Sequence, residues 1–192
     1  MNPFDYVSVI ISVVIGLGMS HLLTGLVELI KLRRSVRFYW VYLVWVVLTF
    51  MGHVFLWWSL WNLRGLRVWN FFSFLLILFE PVLLFVIAAF LIPKLDADER
   101  TDLREYFYDN HVAIFGSNAA FTLLLIMQNG SLPGGRFLTT ANYLLALALL
   151  LHCGAAATRN KYYHSFMALF FTLWFLTFII LFGLRLGSVG IS

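Results

Sequence analysis

Long apolar stretches separated by short polar segments run along the whole chain. An α-helix needs about 20 mostly apolar residues to cross the hydrocarbon core of a bilayer. The candidate stretches cover residues 6–30, 40–62, 69–93, 110–128, 137–157 and 162–186, and the fourth is the shortest. The pattern predicts an all-α, polytopic membrane helix bundle of about six transmembrane helices, which forms a single domain over residues 1–192 with no soluble domain.

The composition also indicates lipid as the main solvent. The chain is 62% hydrophobic and 11% charged, whereas a soluble domain carries about 25% charged residues. A small globule has too little interior to bury this much apolar side chain. Residues 1–30 contain no Lys or Arg, so we expect the first stretch to remain in the mature protein and not to act as a cleaved signal peptide.

Basic residues are concentrated in alternate loops. The richer loops carry Lys31, Arg33, Arg34, Arg37, Lys94, Arg100, Arg104, Arg159 and Lys161. The opposite side carries Arg64, Arg67, Arg136 and Arg185. Because loops rich in Lys and Arg stay in the cytoplasm, we expect a multi-pass inner-membrane protein with both termini on the non-cytoplasmic side. The net charge of +4 is explained by this distribution and does not indicate nucleic-acid binding.

The loop between the third and fourth stretches is the longest extramembrane segment. Asp96 followed by Glu99 matches a capping box, which marks a helix start. Leu103 and Phe107 are four residues apart and share a face, while charged residues fill the other positions. We therefore predict a short amphipathic helix on the inner surface, either a simple connector or a docking or gating element.

Three segments resemble known sequences. They read SVIISVVIGLGMSHLLTGL, RFYWVYLVWVVL and LREYF. They are similar to small multi-pass proteins from bacterial genomes that carry no established function, and the resemblance covers the first half of the chain best. It implies a bacterial inner-membrane location. It transfers no activity and no site residue.

Small residues repeat along the first stretch at intervals of four. This small-residue ladder consists of Ser8, Ser12, Gly16, Ser20 and Thr24, and Glu28 continues it. Small side chains at this spacing let a second backbone approach closely. The ladder therefore predicts a helix-packing face, and it leaves open whether the partner lies in the same chain or in another copy of a homo-oligomer.

Glu80-Pro81 lies at the centre of the third stretch. A charged carboxyl at mid-membrane costs about 3 kcal/mol, so Glu80 has to be protonated, paired or in contact with water. Pro81 has no N–H, and the carbonyl of Ile77 therefore loses its helical donor. Ser73 and Asn70 extend this side outward, which predicts a polar track for a cation or proton. Alternatively, a neutral Glu80 donates to the Ile77 carbonyl and stabilises a kink.

Further polar side chains fall inside the predicted helices, near the depth of Glu80. They are His21, His53, Asn118 and His152. Together with Glu80 they predict a polar belt that several helices share. The alternative for each histidine is a single hydrogen bond across one helix pair.

Three classes of function stay open. The first is an oligomeric channel or transporter that carries a proton, ion or small polar solute past the polar belt. The second is a haem- or metal-binding redox protein with two of His21, His53 and His152 as ligands. The third is a non-catalytic membrane subunit or scaffold. The sequence contains no phosphate loop, GxSxG or HExxH motif, so an enzyme is not favoured. The single Cys153 excludes an intrachain disulfide and a multi-Cys metal site.

Overall fold

The computed structural model describes residues 3–65, 70–96, 99–131 and 135–180. These residues form six α-helices. They are α1 (Pro3–Lys31), α2 (Trp40–Ser59), α3 (Phe71–Leu91), α4 (Leu103–Ser131), α5 (Thr140–Ala157) and α6 (Lys161–Phe178). A 3₁₀ helix, Leu60–Gly65, continues α2. The predicted all-helical architecture is confirmed.

Five helical segments are long and apolar enough to cross a membrane. They are Phe4–Lys31, Trp40–Gly65, Phe71–Leu91, Leu103–Ser131 and Thr140–Ala157. The 18 residues of α6 are not among them, because this helix starts with the polar turn Lys161–His164. The predicted sixth span over 162–186 also includes residues 181–186, which lie outside the described residues. The helices are those of a membrane protein, and the sixth span stays a prediction.

The start of α4 differs from the sequence prediction. Neither Asp96 nor Glu99 is helical, and α4 begins at Leu103. Oδ1 of Asp102 accepts a hydrogen bond from the backbone N–H of Arg104 at 2.8 Å, so Asp102 caps the helix. From there α4 continues without a break for 29 residues.

The face that was assigned to the membrane surface lies in the protein core. Leu103 and Phe107 are both fully buried. Their apolar side chains pack into the bundle because the first turns of α4 lie against other helices. A separate amphipathic surface helix before the fourth span is therefore replaced by the first turns of α4 itself.

Two loops that were expected on the cytoplasmic side meet in a small parallel sheet. Strand β1 (Val36–Arg37) pairs with strand β2 (Thr101–Asp102). Nη1 of Arg37 lies 3.2 Å from Oδ2 of Asp102. Partial burial alone would raise the pKa of the Asp102 carboxyl, but the backbone N–H groups at the start of α4 and the charge of Arg37 outweigh it and lower that pKa. The pairing pulls the chain into an extended form up to Asp102, which is why α4 starts there.

The helix α1 packs into the bundle through a different face from the small-residue ladder. Along the ladder, Ser8 and Ser12 are half-buried, whereas Gly16, Ser20 and Thr24 are exposed. The buried side carries Gly18 and Gly25, where an added Cβ would collide with His53 of α2 and with Ile92 after α3. The exposed half of the ladder faces away from the helices that the structure describes, so its packing partner would be lipid or another chain.

Candidate functional site

One face of α2 buries a series of polar side chains. Tyr42, Trp45, Thr49 and His53 follow one another at intervals of three and four residues, so they share one side of the helix. Each is at most 6% exposed. We name these four residues the α2 polar line. Only His53 was selected from the sequence, although the helical spacing from Tyr42 onward indicated that the other three share its side of α2.

His53 is held between its own helix and α1. Its Nδ1 lies 2.8 Å from the carbonyl oxygen of Thr49, and because a carbonyl only accepts, Nδ1 donates. In the neutral ring Nε2 is then an acceptor. This nitrogen is buried and has no hydrogen-bond partner among the described residues. A Cβ at Gly18 would lie 2.1 Å from it, so only glycine allows this approach of α1.

His152 connects α5 to α4. Its Nδ1 lies 3.3 Å from the hydroxyl oxygen of Thr122. That hydroxyl donates its hydrogen to the carbonyl of Asn118 at 2.8 Å, so His152 is the donor in the bond to Thr122. Nε2 of His152 is consequently an acceptor in the neutral ring, and it is buried without a partner in the described part of the chain. Asn118 and His152, both selected from sequence, are thus linked through Thr122.

Trp45 brings the α2 polar line next to His152. The two ring centroids are 6.1 Å apart, and both rings contact Phe115 of α4 and Phe171 of α6. The indole Nε1–H of Trp45 is a donor without a partner among the described residues. An unpaired buried donor or acceptor costs about 1–3 kcal/mol. A water molecule that reached either unpaired nitrogen would satisfy it.

Glu80 is buried in the middle of α3, with 4% of its surface exposed. Its hydrogen-bonding neighbour is the side chain of Gln128, near the end of α4. One carboxyl oxygen of Glu80 and the amide oxygen of Gln128 have no partner among the described residues. Within the same residues no hydrogen bond connects Glu80 to the carbonyl of Ile77, which was the alternative from sequence. Gln128 was not selected from sequence, because it is the last residue of the predicted fourth stretch.

The outer part of the predicted track belongs to the start of α3. Oδ1 of Asn70 accepts a hydrogen bond from the backbone N–H of Ser73 at 2.8 Å, which makes Asn70 the cap of this helix. His21 lies elsewhere, against Phe85, with ring centroids 6.1 Å apart. Across the described ranges, no polar contact joins Glu80 or His21 to the α2 polar line. The predicted belt is therefore divided into separate groups.

A further buried histidine, which was not selected from sequence, lies at the start of α6. His164 is fully buried, and its Nε2 donates to the carbonyl of Thr158 at 2.8 Å. Nδ1 is left without a partner among the described residues. The surrounding rings are those of Phe107, Tyr108, His111 and Phe115, at centroid distances of 5.1–6.0 Å. The first turn of α6 is polar in sequence, which is typical of the end of a span at the membrane surface. His164 was therefore not selected as a buried residue.

Polar contacts close the bundle around His164. Nη2 of Arg159 donates to the carbonyl of Tyr108 at 2.9 Å, and Arg159 also pairs with Asp109. The hydroxyls of Tyr39 and Tyr108 lie 3.2 Å apart. Burial, and then this hydrogen bond, raises the pKa of Tyr39, so its hydroxyl stays protonated at neutral pH. We name the end of the bundle where these residues meet the β1–β2 sheet the inner end, after the side on which the sequence predicts these loops to lie.

In the described part of the chain the histidines are spread over several helices. Over the described ranges, no three His, Cys, Asp or Glu side chains are placed to hold one ion. His21, His53 and His152 come from three different helices and have different neighbours. Cys153 is exposed. Each of these three histidines has a buried Nε2 without a partner among the described residues.

Comparisons of this chain with protein-family models, with curated proteins and with solved structures found no match.

Proposed function

We propose that this chain is a membrane transport protein that carries a proton, ion or small polar solute along the α2 polar line. The supporting observation is that polar atoms on this line lack partners: the hydroxyl of Tyr42, Nε1 of Trp45 and Nε2 of His53 are buried and unpaired among the described residues. Protein interiors satisfy about 90% or more of such groups. Several unpaired polar atoms along one side of a helix, inside an apolar bundle, are expected where water or a substrate passes.

The length of the α2 polar line fits a path into the membrane. Tyr42 and His53 are eleven residues apart, which is about 16 Å along a helix axis. The hydrocarbon core of a bilayer is about 30 Å thick. The line therefore covers about half of the core, starting from the inner end. Glu80, a buried carboxyl in a spanning helix, supports the same class of function because intramembrane carboxyls usually serve transport or proton transfer.

The membrane location and assembly belong to the same proposal. The loops that precede α2, α4 and α6 carry the basic residues, so they lie in the cytoplasm and both termini lie outside an inner membrane. The exposed half of the small-residue ladder supports a homo-oligomer. A reporter enzyme that works only in the cytoplasm, fused after Ser192, should be inactive, and an active one would reverse the orientation.

A haem or metal redox protein is the second candidate, and one observation supports it. His53 and His164 each donate one ring N–H to a backbone carbonyl, while the other nitrogen is unpaired among the described residues. Metal-binding histidines are usually oriented by such a bond. The absorption spectrum of the purified protein distinguishes the candidate functions, because a Soret band would indicate bound haem and favour the redox protein.

Flux measurements test transport directly. The purified chain is reconstituted into vesicles that contain a pH-sensitive dye, and parallel vesicles report the entry of small neutral solutes by light scattering. Wild-type vesicles should exceed empty ones in at least one assay, and His53→Leu should return to the empty level. Tyr143→Leu is the control, because Tyr143 is exposed on α5. Wild-type flux equal to that of empty vesicles would reject transport and favour a scaffold.

A further inference from the structure

We infer that the transported species is a proton, and that His164 with His111 exchanges it at the inner end of the bundle. This inference rests on the proposed transport function and adds its substrate. Neither His164 nor His111 was selected as a site residue from the sequence. Three observations support it: the tight ring packing along the path, the free nitrogen of His164, and the absence of other unpaired ionisable partners around that nitrogen among the described residues.

The packing around the α2 polar line admits little more than water. His152 stacks on Phe171 with ring centroids 4.5 Å apart. Trp45 meets Phe115 edge to face at 4.9 Å. Such rings are in van der Waals contact, so a solute of several heavy atoms would have to separate helices to pass. A proton needs only hydrogen-bonding groups and occasional water molecules between them.

A cavity of about 120 Å³ does lie beside α2, but its lining does not suit a polar solute. It is formed by Met51, Val54, Phe55, Trp58, Phe175 and Ile179. None of these residues belongs to the α2 polar line. The apolar space therefore lies apart from the polar side of α2, where the rings of Trp45 and its neighbours are in close contact.

His164 has the arrangement that a proton exchanger needs. Its Nε2–H is fixed on the carbonyl of Thr158, so in the neutral ring Nδ1 carries a free lone pair. A proton that arrives through water binds at Nδ1 and forms the imidazolium. The same proton then leaves from Nδ1 to His111 or to water, and the neutral ring is restored. No other bond forms or breaks in this exchange.

Among the described side chains that face His164, His111 is the one other imidazole. From α4, Tyr108 and His111 lie 5.3 and 6.0 Å away between ring centroids. From α6, Tyr163 lies 6.2 Å away and its hydroxyl donates to the carbonyl of Leu151. Tyr39, the residue before α2, contacts this group through the hydroxyl of Tyr108.

Two charged residues near His164, Asp109 and Arg159, are paired with each other. Asp109 is bound to Arg159, which also donates to the carbonyl of Tyr108. Nδ1 of His111 contacts the carbonyl of Tyr108 at 2.5 Å, so this nitrogen donates and Nε2 of His111 is the acceptor in the neutral ring. Proton exchange by His164 therefore involves the second imidazole and not a carboxylate.

Phe115 separates the inner histidine pair from the α2 polar line. This ring is fully buried, and its centroid lies 5.1 Å from His164 and 6.4 Å from His152. A proton has to pass this ring by way of water at its edge. The inner pair is therefore the exchange site on one side of an apolar barrier, and Nε2 of His152, which has a free lone pair, is the receiving atom on the other.

The test compares His164→Gln and His111→Gln with wild type in the two vesicle assays. Glutamine keeps an N–H that reaches the Thr158 carbonyl, but it cannot take up a proton near neutral pH. Phe166→Leu is the control, since Phe166 is exposed on the same helix. We expect proton flux without solute flux in wild type and Phe166→Leu, and loss of proton flux to the empty-vesicle level in His164→Gln. Native mass and thermal midpoint confirm that each variant is folded.

The outcomes separate this inference from the proposed function. Solute flux in wild type that persists in His164→Gln would keep transport and overturn the proton as substrate. Wild-type proton flux in both histidine variants, with flux lost in His53→Leu, would keep the path and overturn the inner exchange site. No flux of either kind in wild type would overturn both.

Discussion

Nε2 of His53 occupies the space into which any side chain at residue 18 would project, so α1 and α2 meet through an imidazole and a bare backbone. A Cβ at Gly18 would lie 2.1 Å from that nitrogen. The ring cannot move away without losing its 2.8 Å bond to the Thr49 carbonyl. Gly18→Ala should therefore lower the free energy of unfolding by about 1–3 kcal/mol.

The matched control for this contact lies two residues earlier. A Cβ at Gly16 would have no atom within 4 Å, so Gly16→Ala should be neutral, or stabilising by up to about 1 kcal/mol through helix propensity. Thermal unfolding of both variants in one detergent makes the comparison. Equal midpoints for the two alanine variants would contradict the His53–Gly18 contact.

The exposed ladder on α1 gives a prediction about assembly. Ser20 is exposed, so Ser20→Leu should leave thermal stability unchanged. If the ladder packs against another copy, the bulky side chain blocks close approach and the variant should run at a lower native mass in mild detergent. Leu150→Phe enlarges an exposed residue on α5 and should keep the wild-type mass. A stability loss in Ser20→Leu at constant mass would instead indicate an intrachain contact.

The lengths of apolar stretches predicted most helices, but not which side of each helix faces inward. The first stretch, 6–30, matches α1 (Pro3–Lys31) closely. Its small residues at intervals of four suggested the packing face, whereas the bundle uses Gly18 and Gly25. Lipid tails are as apolar as leucine, so hydrophobicity does not select a face within the membrane. Local fit between side chains decides it, and that fit is not visible in one sequence.

Glu80 gives a prediction that separates function from packing. Glu80→Gln keeps the shape and the capacity to hydrogen-bond Gln128, so it should fold normally while any proton flux that depends on the carboxyl is lost. Glu80→Leu leaves Gln128 unpaired in an apolar interior, which should cost about 1–3 kcal/mol in stability as well. Flux in reconstituted vesicles and thermal midpoints in detergent are measured on both. Wild-type flux in Glu80→Gln would remove Glu80 from the path.

Asp102 predicts a pH dependence of stability at the inner end. Its folded-state pKa is lowered, so its stabilising effect is fully present above the unfolded value of about 3.9 and is lost as the pH falls through the lower folded value. Asp102→Asn keeps a helix cap but loses the charge that pairs with Arg37. The variant should be less stable than wild type at neutral pH, and the difference should shrink below about pH 4. A difference that stays constant with pH would contradict the ion pair.

The candidate site was only partly predictable. Polar residues inside apolar stretches pointed to His53 and His152, because such residues are costly in lipid and need a reason. Trp45 was overlooked because tryptophan is also common at membrane surfaces. Its contact with His152 joins α2 to α5 across more than a hundred residues of sequence. A local sequence pattern does not predict a contact between residues so far apart in the chain. The β1–β2 pairing that shifts the start of α4 is long-range in the same way.

The claim that the α2 polar line is a hydrated path can be tested at one atom. Trp45 is 3% exposed, and its Nε1–H has no protein partner among the described residues, so in a hydrated path it donates to water inside the bundle. The most direct measurement is an NMR cross-peak between water and the Trp45 indole N–H in nitrogen-labelled protein, assigned by its loss in Trp45→Phe. A hydrated path predicts this cross-peak, with fast exchange in heavy water. An indole N–H with no water cross-peak and no exchange over days would contradict the path.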